Sequence, residues 1–207
     1  TIQPDLIFAK GGYASLPMVL SHGKIPLICH ESDLTLGLAN KIGKVMGGRV
    51  LTSNPKTQGE FVGVPVRREL FEVNPLEARK KLNLSPEDRV LLVVGGSSGA
   101  KPLNDALMLK LPILTKKYVV IHLYGKAPFN PPKRTNRYIP IQYADNMGEL
   151  YAVSDVVISR AGATAVAELS ALEKRALFIP LPKGVSRGDQ LDNAVYAKTL
   201  GGRVLYE

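Results

Sequence analysis

Cysteine is almost absent from this sequence. Cys29 stands alone among 207 residues, which excludes a disulfide framework and a cysteine-rich zinc site. Histidine is scarce too: His22, His30 and His122 form no close pair, so a histidine-based metal site is not expected. Tryptophan is missing and aromatics make up only 6%. No apolar run approaches the roughly 18 residues that a membrane-spanning helix needs, and no signal-peptide pattern is visible at the start. Acidic residues are in deficit, 18 against 27 Lys and Arg, for a formal net charge of +9.

What remains is ordinary globular material: 45% hydrophobic, with 19 Gly and 15 Pro. The length suits one large domain or two small ones. Surplus positive charge suits a polyanion, an anionic membrane surface or a phosphorylated substrate. A nucleic-acid binder is disfavoured, because the charges are scattered, the aromatics few and no recognition motif is present. Thr1 is not Met, and both ends read as strand-like, the pattern expected of a piece of a longer protein.

The chain alternates strand-like and helix-like segments. Asp5–Ala9, Ile25–Cys29 and Arg49–Leu51 read as strands, separated by helices over Ala14–His22 and Leu36–Met46. The stretch Thr52–Pro65 is rich in Gly, Pro and Asn and reads as a loop. The alternation then restarts. Asn74–Pro75 opens a helix, Asn as cap and Pro in the first turn. Val90–Val94 is a continuous apolar run, the mark of a strand covered on both faces. Strands at Tyr118–Leu123, Tyr138–Gln142, Asp155–Ile158, Ala176–Ile179 and Gly202–Leu205 follow, interleaved with helices at Leu103–Leu114, Met147–Ser154, Ala163–Leu172 and Gln190–Leu200. Lys126–Lys133 reads as an exposed loop. Such alternation predicts an α/β fold with parallel sheets. The loop-rich break divides it into part of one doubly wound domain at 1–66 and most of a second at 67–207.

Ligands of such sheets bind at the carboxyl ends of strands, where strand order reverses. Gly95-Gly96-Ser97-Ser98-Gly99-Ala100 follows the apolar run and enters a helix, so its amides and serine hydroxyls suit a phosphate. It matches neither the P-loop nor the dinucleotide fingerprint. Ser159-Arg160-Ala161-Gly162-Ala163-Thr164-Ala165 is a second such turn, with Glu168 about one helical turn on. Glu168 suits either a sugar diol or a surface place near a helix start. Ala9-Lys10-Gly11-Gly12-Tyr13-Ala14 is a third turn, read equally well as plain geometry. Arg67 is either a phosphate contact or an exposed linker arginine, and Gln190 either a sugar contact or part of a helix start capped by Asp189. His30-Glu31-Ser32-Asp33 places an imidazole and two carboxylates just beyond a strand. That arrangement suits acid–base chemistry, or else a supporting core histidine.

In order and spacing these motifs, together with Gly37-Leu38-Ala39-Asn40-Lys41, Gly63-Val64-Pro65-Val66-Arg67 and Asp189-Gln190 with Asn193-Ala194, resemble the MurG family of glycosyltransferases over nearly the whole chain. The resemblance implies a GT-B-type architecture of two facing Rossmann-like domains, the first incomplete here. It implies an inverting transfer of N-acetylglucosamine from UDP-N-acetylglucosamine to the undecaprenyl-diphosphate-linked muramyl-pentapeptide, at the cytoplasmic face of the bacterial membrane, with no cofactor or metal. By motif it implies phosphate contacts at Arg67 and Ser97, with Ser98 and Gly99 also in the UDP-sugar site. Tyr143 and Ala144 would lie at the uracil, Ala163, Thr164 and Ala165 near the diphosphate and ribose, Glu168 on the ribose hydroxyls and Gln190 on the sugar. Asp33, Glu31 and His30 are the candidate acid–base groups. Other UDP-sugar enzymes (a lipid glucosyltransferase or an epimerase) and a nucleotide-binding module without activity remain open. The sequence departs from the family in three ways. The amino-terminal glycine loop with its histidine and the terminal helix have no counterpart in these residues. Glu31-Ser32-Asp33 stands where many members have Glu-Gln-Asn. The stretch from Arg49 to Val66 is short.

Overall fold

The computed structural model describes residues 3–96, 99–182 and 188–206. The chain divides into two compact units, Thr1–Pro65 and Val66–Glu207.

In the first unit, strands β1 (Ile7–Ala9), β2 (Leu27–Glu31), β3 (Arg49–Thr52) and β4 (Glu60–Phe61) lie side by side in chain order, all parallel. Helix α1 (Leu16–Leu20) is shorter than the sequence pattern suggested. A 3-10 turn over Tyr13–Ser15 precedes it, and Pro17, which lacks an N–H, sits in its first turn. Helix α2 (Leu38–Val45) closes over the sheet at Gly43, where a Cβ would collide with the Cys29 thiol. Ile7, Ala9, Val19, Leu27, Cys29 and Val50 form the core beneath. Strand β2 also runs two residues past the apolar stretch that announced it. His30 pairs with Leu51 and Glu31 with Thr52. Both residues are therefore strand residues, not part of a turn beyond the strand.

The second unit opens with a 3-10 turn, Arg68–Leu70, and helix α3 (Pro75–Leu82). Asn74 caps α3, its side chain accepting from Leu76 N–H at 3.0 Å. Then follow β5 (Val90–Val94), α4 (Lys101–Leu114), β6 (Val119–Leu123), β7 (Tyr138–Ile141), α5 (Met147–Val153), β8 (Val156–Ser159), α6 (Ala163–Ala171), β9 (Ala176–Phe178), α7 (Asp189–Thr199) and β10 (Arg203–Val204). The sheet is parallel, in the order β10-β9-β8-β5-β6-β7. All five residues of β5 are buried. Val90, Leu92 and Val94 pack with residues of α3, α5, α6 and α7, while Leu91 and Val93 pack with Leu103 and Leu107 of α4. Two-sided cover explains the unbroken apolar run, and each such side chain contributes about 2 kcal/mol of burial.

The strand order fixes where a ligand can sit. From β5 the chain builds outward through β6 and β7, then returns to place β8 on the other side of β5. The two connections leave the sheet in opposite directions, which opens a crevice at the carboxyl ends of β5 and β8.

Candidate functional site

Two glycine-rich turns flank that crevice, because Val94 of β5 pairs with Ser159 of β8. In the turn after β5, Gly95 N–H donates to Leu123 O at 3.2 Å, and Gly96 and Gly99 adopt φ of +85° and +81°. Ser97 and Ser98 lie outside the described residues. A Cβ on Gly99 would come within 2.7 Å of Ala127 Cβ, and one on Gly125 would land on the Gly99 backbone. Both positions therefore require glycine through close approach as well as through positive φ.

Beneath this turn runs a buried polar chain that the sequence did not announce. Asn104 donates from Nδ2 to Tyr124 O at 3.2 Å, so its Oδ1 accepts from His122 Nε2 at 3.0 Å. His122 Nδ1 then accepts from the Tyr138 hydroxyl at 2.9 Å, a tautomer assigned from the network. Burial drives the His122 pKa down to about 4 and the Tyr138 phenol up to about 12, so neutral forms hold the chain together. The loop at Lys126–Lys133 contributes to this cluster: Phe129 meets the His122 ring edge-on at 5.3 Å.

The second turn enters α6 through Gly162, with no capping side chain. The first amides of the helix are thus left for an outside partner at the positive end of the helix dipole. Ala163, Thr164 and Ala165 form that first turn, and Thr164 is exposed. Glu168, one turn further, is only 7% exposed, which removes its reading as a surface residue. Its Oε2 accepts from the Tyr151 hydroxyl at 3.2 Å, and its Oε1 lies 3.5 Å from Arg67 Nη2. Burial and the Glu168 charge push the Tyr151 phenol above its ordinary range, so it stays a donor. Arg67 is no idle linker arginine. It caps the opening 3-10 turn, and its half-exposed side chain reaches Glu168.

The remaining candidates follow the neighbouring strands. Tyr143, after β7, is exposed, while Ala144 beside it packs on the main core. Gln190, in the first turn of α7 after β9, accepts through Oε1 from Leu181 N–H at 3.1 Å. Gly188, not Asp189, caps that helix. At φ +93° it takes a left-handed conformation that suits glycine, and Asp189 becomes the first helical residue.

In the first unit, the polar cluster is bound up in structure. Glu31 accepts from Gly37 N–H at 2.7 Å, Asn40 Nδ2 at 2.9 Å and Asp33 N–H at 3.1 Å. One buried carboxylate thus pins the whole turn from 32 to 37 and the start of α2. His30 is 1% exposed. The Lys10 ammonium, which can only donate, lies 3.3 Å from its Nδ1, so Nε2–H donates to Gly63 O at 3.0 Å. Lys10 also donates to Ser32 Oγ at 2.7 Å. Asp33 is half-buried. Among the described residues no cluster of His, Cys, Asp and Glu could hold a metal ion. The single thiol, Cys29, is buried, and burial raises its pKa.

Sequence reasoning missed Tyr151, Asn104, His122 and Lys10 as partners. Each acts across 17 or more residues of sequence, and only the tertiary fold brings the partners together.

These features have known counterparts. The profile of the Glycosyltransferase family 28 C-terminal domain matches residues 90–207, more than half of the chain. Relatives from Lachnospira eligens and Staphylococcus saprophyticus are 43% and 41% identical over 93% and 99% of the chain. Both are named UDP-N-acetylglucosamine--N-acetylmuramyl-(pentapeptide) pyrophosphoryl-undecaprenol N-acetylglucosamine transferase. The chain spans 58% and 61% of their lengths. The crystal structure of Acinetobacter baumannii MurG matches 98% of the chain with a TM-score of 0.70 at 25% identity, over 60% of that structure's chain. The Streptomyces nogalater glycosyltransferase SnogD shares the fold alone, with a TM-score of 0.57 at 14% identity over 98% of this chain and 61% of its own. The parallel sheets are of the Rossmann-like kind found in these GT-B enzymes. With the family profile covering the sheet whose strand order reverses, the chain belongs to glycosyltransferase family 28.

Proposed function

We propose that this chain carries the UDP-sugar side of an inverting N-acetylglucosaminyltransferase. In this reading N-acetylglucosamine passes from UDP-N-acetylglucosamine to the undecaprenyl-diphosphate-linked muramyl-pentapeptide, as the names of the relatives describe for those proteins. The observation that carries the reading is the reversal of strand order between β5 and β8. It gathers two glycine-rich turns, an uncapped helix start and the buried Glu168 at one end of one sheet.

The chemistry follows from the parts. The first amides of α6 present fixed N–H dipoles to a diphosphate, which stabilise the leaving group without reorganising, and the turn after β5 lies beside them at the same end of the sheet. Arg67 adds a positive charge on a half-exposed side chain. Glu168 takes the ribose hydroxyls, Tyr143 and Ala144 flank the base, and Gln190 reaches the sugar. The acceptor hydroxyl attacks the anomeric carbon from the side opposite UDP and gives its proton to a base. Asp33, Glu31 and His30, grouped at the end of β2 in the first unit, are the candidates for that base.

The acceptor in this reading is lipid-linked, and the protein sits peripherally at the cytoplasmic face of the membrane. Exposed Phe8, Tyr13, Leu20 and Leu38, together with Lys24, Lys41 and Lys44 of the first unit, support attraction to an anionic surface. No helix among the described residues is long and apolar enough to cross a membrane. Co-sedimentation with vesicles tests this. Binding that ignores both salt and anionic lipid content would refute it.

The donor reading is tested by titrating UDP-N-acetylglucosamine and UDP-glucose into the protein and into Glu168→Ala. The expected result is preference for the acetylated sugar and a loss of affinity on the order of tenfold or more in the variant. Equal affinity for both sugars, unmoved by the substitution, would remove the donor site.

A further inference from the structure

We propose that Tyr151 is a positioning residue for nucleoside recognition: its buried phenol fixes the Glu168 carboxylate so that one oxygen stays presented to the ribose hydroxyls. This rests on the donor-site reading above.

The two oxygens of Glu168 are held unequally. Oε2 accepts from Tyr151, whose side chain is 3% exposed and seated in the main core between the sheet and its helices. Oε1 meets only the Arg67 guanidinium among its described partners, at 3.5 Å, on a side chain 57% exposed. The first partner is rigid and neutral. The second is long, solvated and readily displaced. A ligand diol therefore takes Oε1 by displacing Arg67, while Oε2 stays anchored to Tyr151.

The anchor matters because a glutamate side chain has three rotatable bonds. A carboxylate fixed before binding loses less freedom on engaging a ligand than one that must be ordered by it. Tyr151 comes from α5 and Glu168 from α6, helices that pack with the same face of the sheet. The phenol thus references the carboxylate to the sheet and not only to its own helix. The high phenol pKa leaves Tyr151 a donor across the working pH range.

Tyr151→Phe removes the hydroxyl and keeps the ring that packs in the core. Dissociation constants for UDP and for 2′,3′-dideoxy-UDP are measured by calorimetry on the unmodified chain, on Tyr151→Phe and on Glu168→Ala. The unmodified chain prefers UDP, and Glu168→Ala abolishes the preference. Tyr151→Phe lowers the preference by roughly fivefold or more, with affinity for the dideoxy ligand held within about twofold. Glu168→Asp, which draws the carboxylate away from the phenol and keeps its charge, gives the same selective loss. Unchanged preference in Tyr151→Phe overturns the inference. So does an equal loss for both ligands, which would make the phenol a purely structural group. No preference in the unmodified chain would instead strike at the donor-site reading itself.

Discussion

Each unit buries one glutamate near the carboxyl end of its sheet, and the two are used differently. Glu31 accepts three hydrogen bonds, two of them from backbone amides of the turn it organises. Glu168 accepts from one phenol and touches one exposed guanidinium at 3.5 Å. Burial alone does not separate them, since both are 7% exposed. The difference lies in how the lone pairs are spent. A saturated carboxylate is architecture; one with a loosely held oxygen at a strand-order reversal is placed to receive a ligand. The sheets differ in the same sense. In the first unit the order β1-β2-β3-β4 has no reversal among the described strands, while the second reverses between β5 and β8.

The largest test of this contrast uses glycines. Gly125→Ala in the second unit combines a left-handed backbone with a collision against Gly99, and should cost about 4 kcal/mol and abolish UDP binding. Gly12→Ala in the first unit meets nothing within 4 Å and bears only the strain of φ +77°. With ψ 173° that backbone is one glycine alone takes readily, and the substitution should cost about 2 kcal/mol. Chemical denaturation of both variants checks the ranking, and equal losses would mean that the close approach at Gly125 is unimportant.

Next come the glutamates themselves. Glu31→Ala strands three donors and should cost about 3 kcal/mol, with faster hydrogen exchange at the amides of Asp33 and Gly37. Glu168→Ala should cost about 1 kcal/mol while lowering UDP affinity by about tenfold or more. Reversed stability costs would break the distinction between architecture and site.

Acid sharpens the contrast from the second unit alone. The folded pKa of His122 is near 4, below its ordinary 6.5, so the unfolded chain takes up the proton first as pH falls. The stability this histidine supports is complete above about pH 6.5 and is lost progressively toward pH 4. Between pH 7 and pH 5 the loss from this group should be about 2 kcal/mol. Comparing the pH dependence of unfolding with that of His122→Gln isolates the contribution. An unchanged slope in the variant would assign the acid sensitivity elsewhere.

How much of this was legible beforehand follows from the range of each interaction. The run Val90–Val94 and the Asn74–Pro75 helix start were readable because two-sided burial and capping are local patterns. The glycine turns were readable for the same reason. The length of β2 was not, because buried His30 and Glu31 look like loop residues until their partners Lys10, Gly63 and Asn40 are in place. Glu168 could be singled out by its offset from a glycine turn, but Tyr151, 17 residues earlier, carries no local signal at all. The cap of α7 lies one residue before the Asp189 that the sequence offers. Asp189 is a good capping type, yet the left-handed conformation there fell to Gly188.

The smallest expected effect on stability tests the site most directly, by making one helix start resemble another. Asn74 caps α3 with its own side chain, while Gly162 leaves the start of α6 without one. Gly162 has φ −69°, and nothing lies within 4 Å of a Cβ there, so a side chain is tolerated. In Gly162→Asp, a carboxylate takes the helix amides and meets the positive end of the dipole. Stability should rise by a few tenths of a kcal/mol. The same carboxylate occupies the place proposed for the diphosphate and repels it. UDP affinity should fall roughly tenfold or more while uridine affinity stays unchanged. A stabilised variant that still binds UDP normally would show that the open start of α6 is ordinary helix fraying, and the diphosphate would have to be held by the turn after β5 alone.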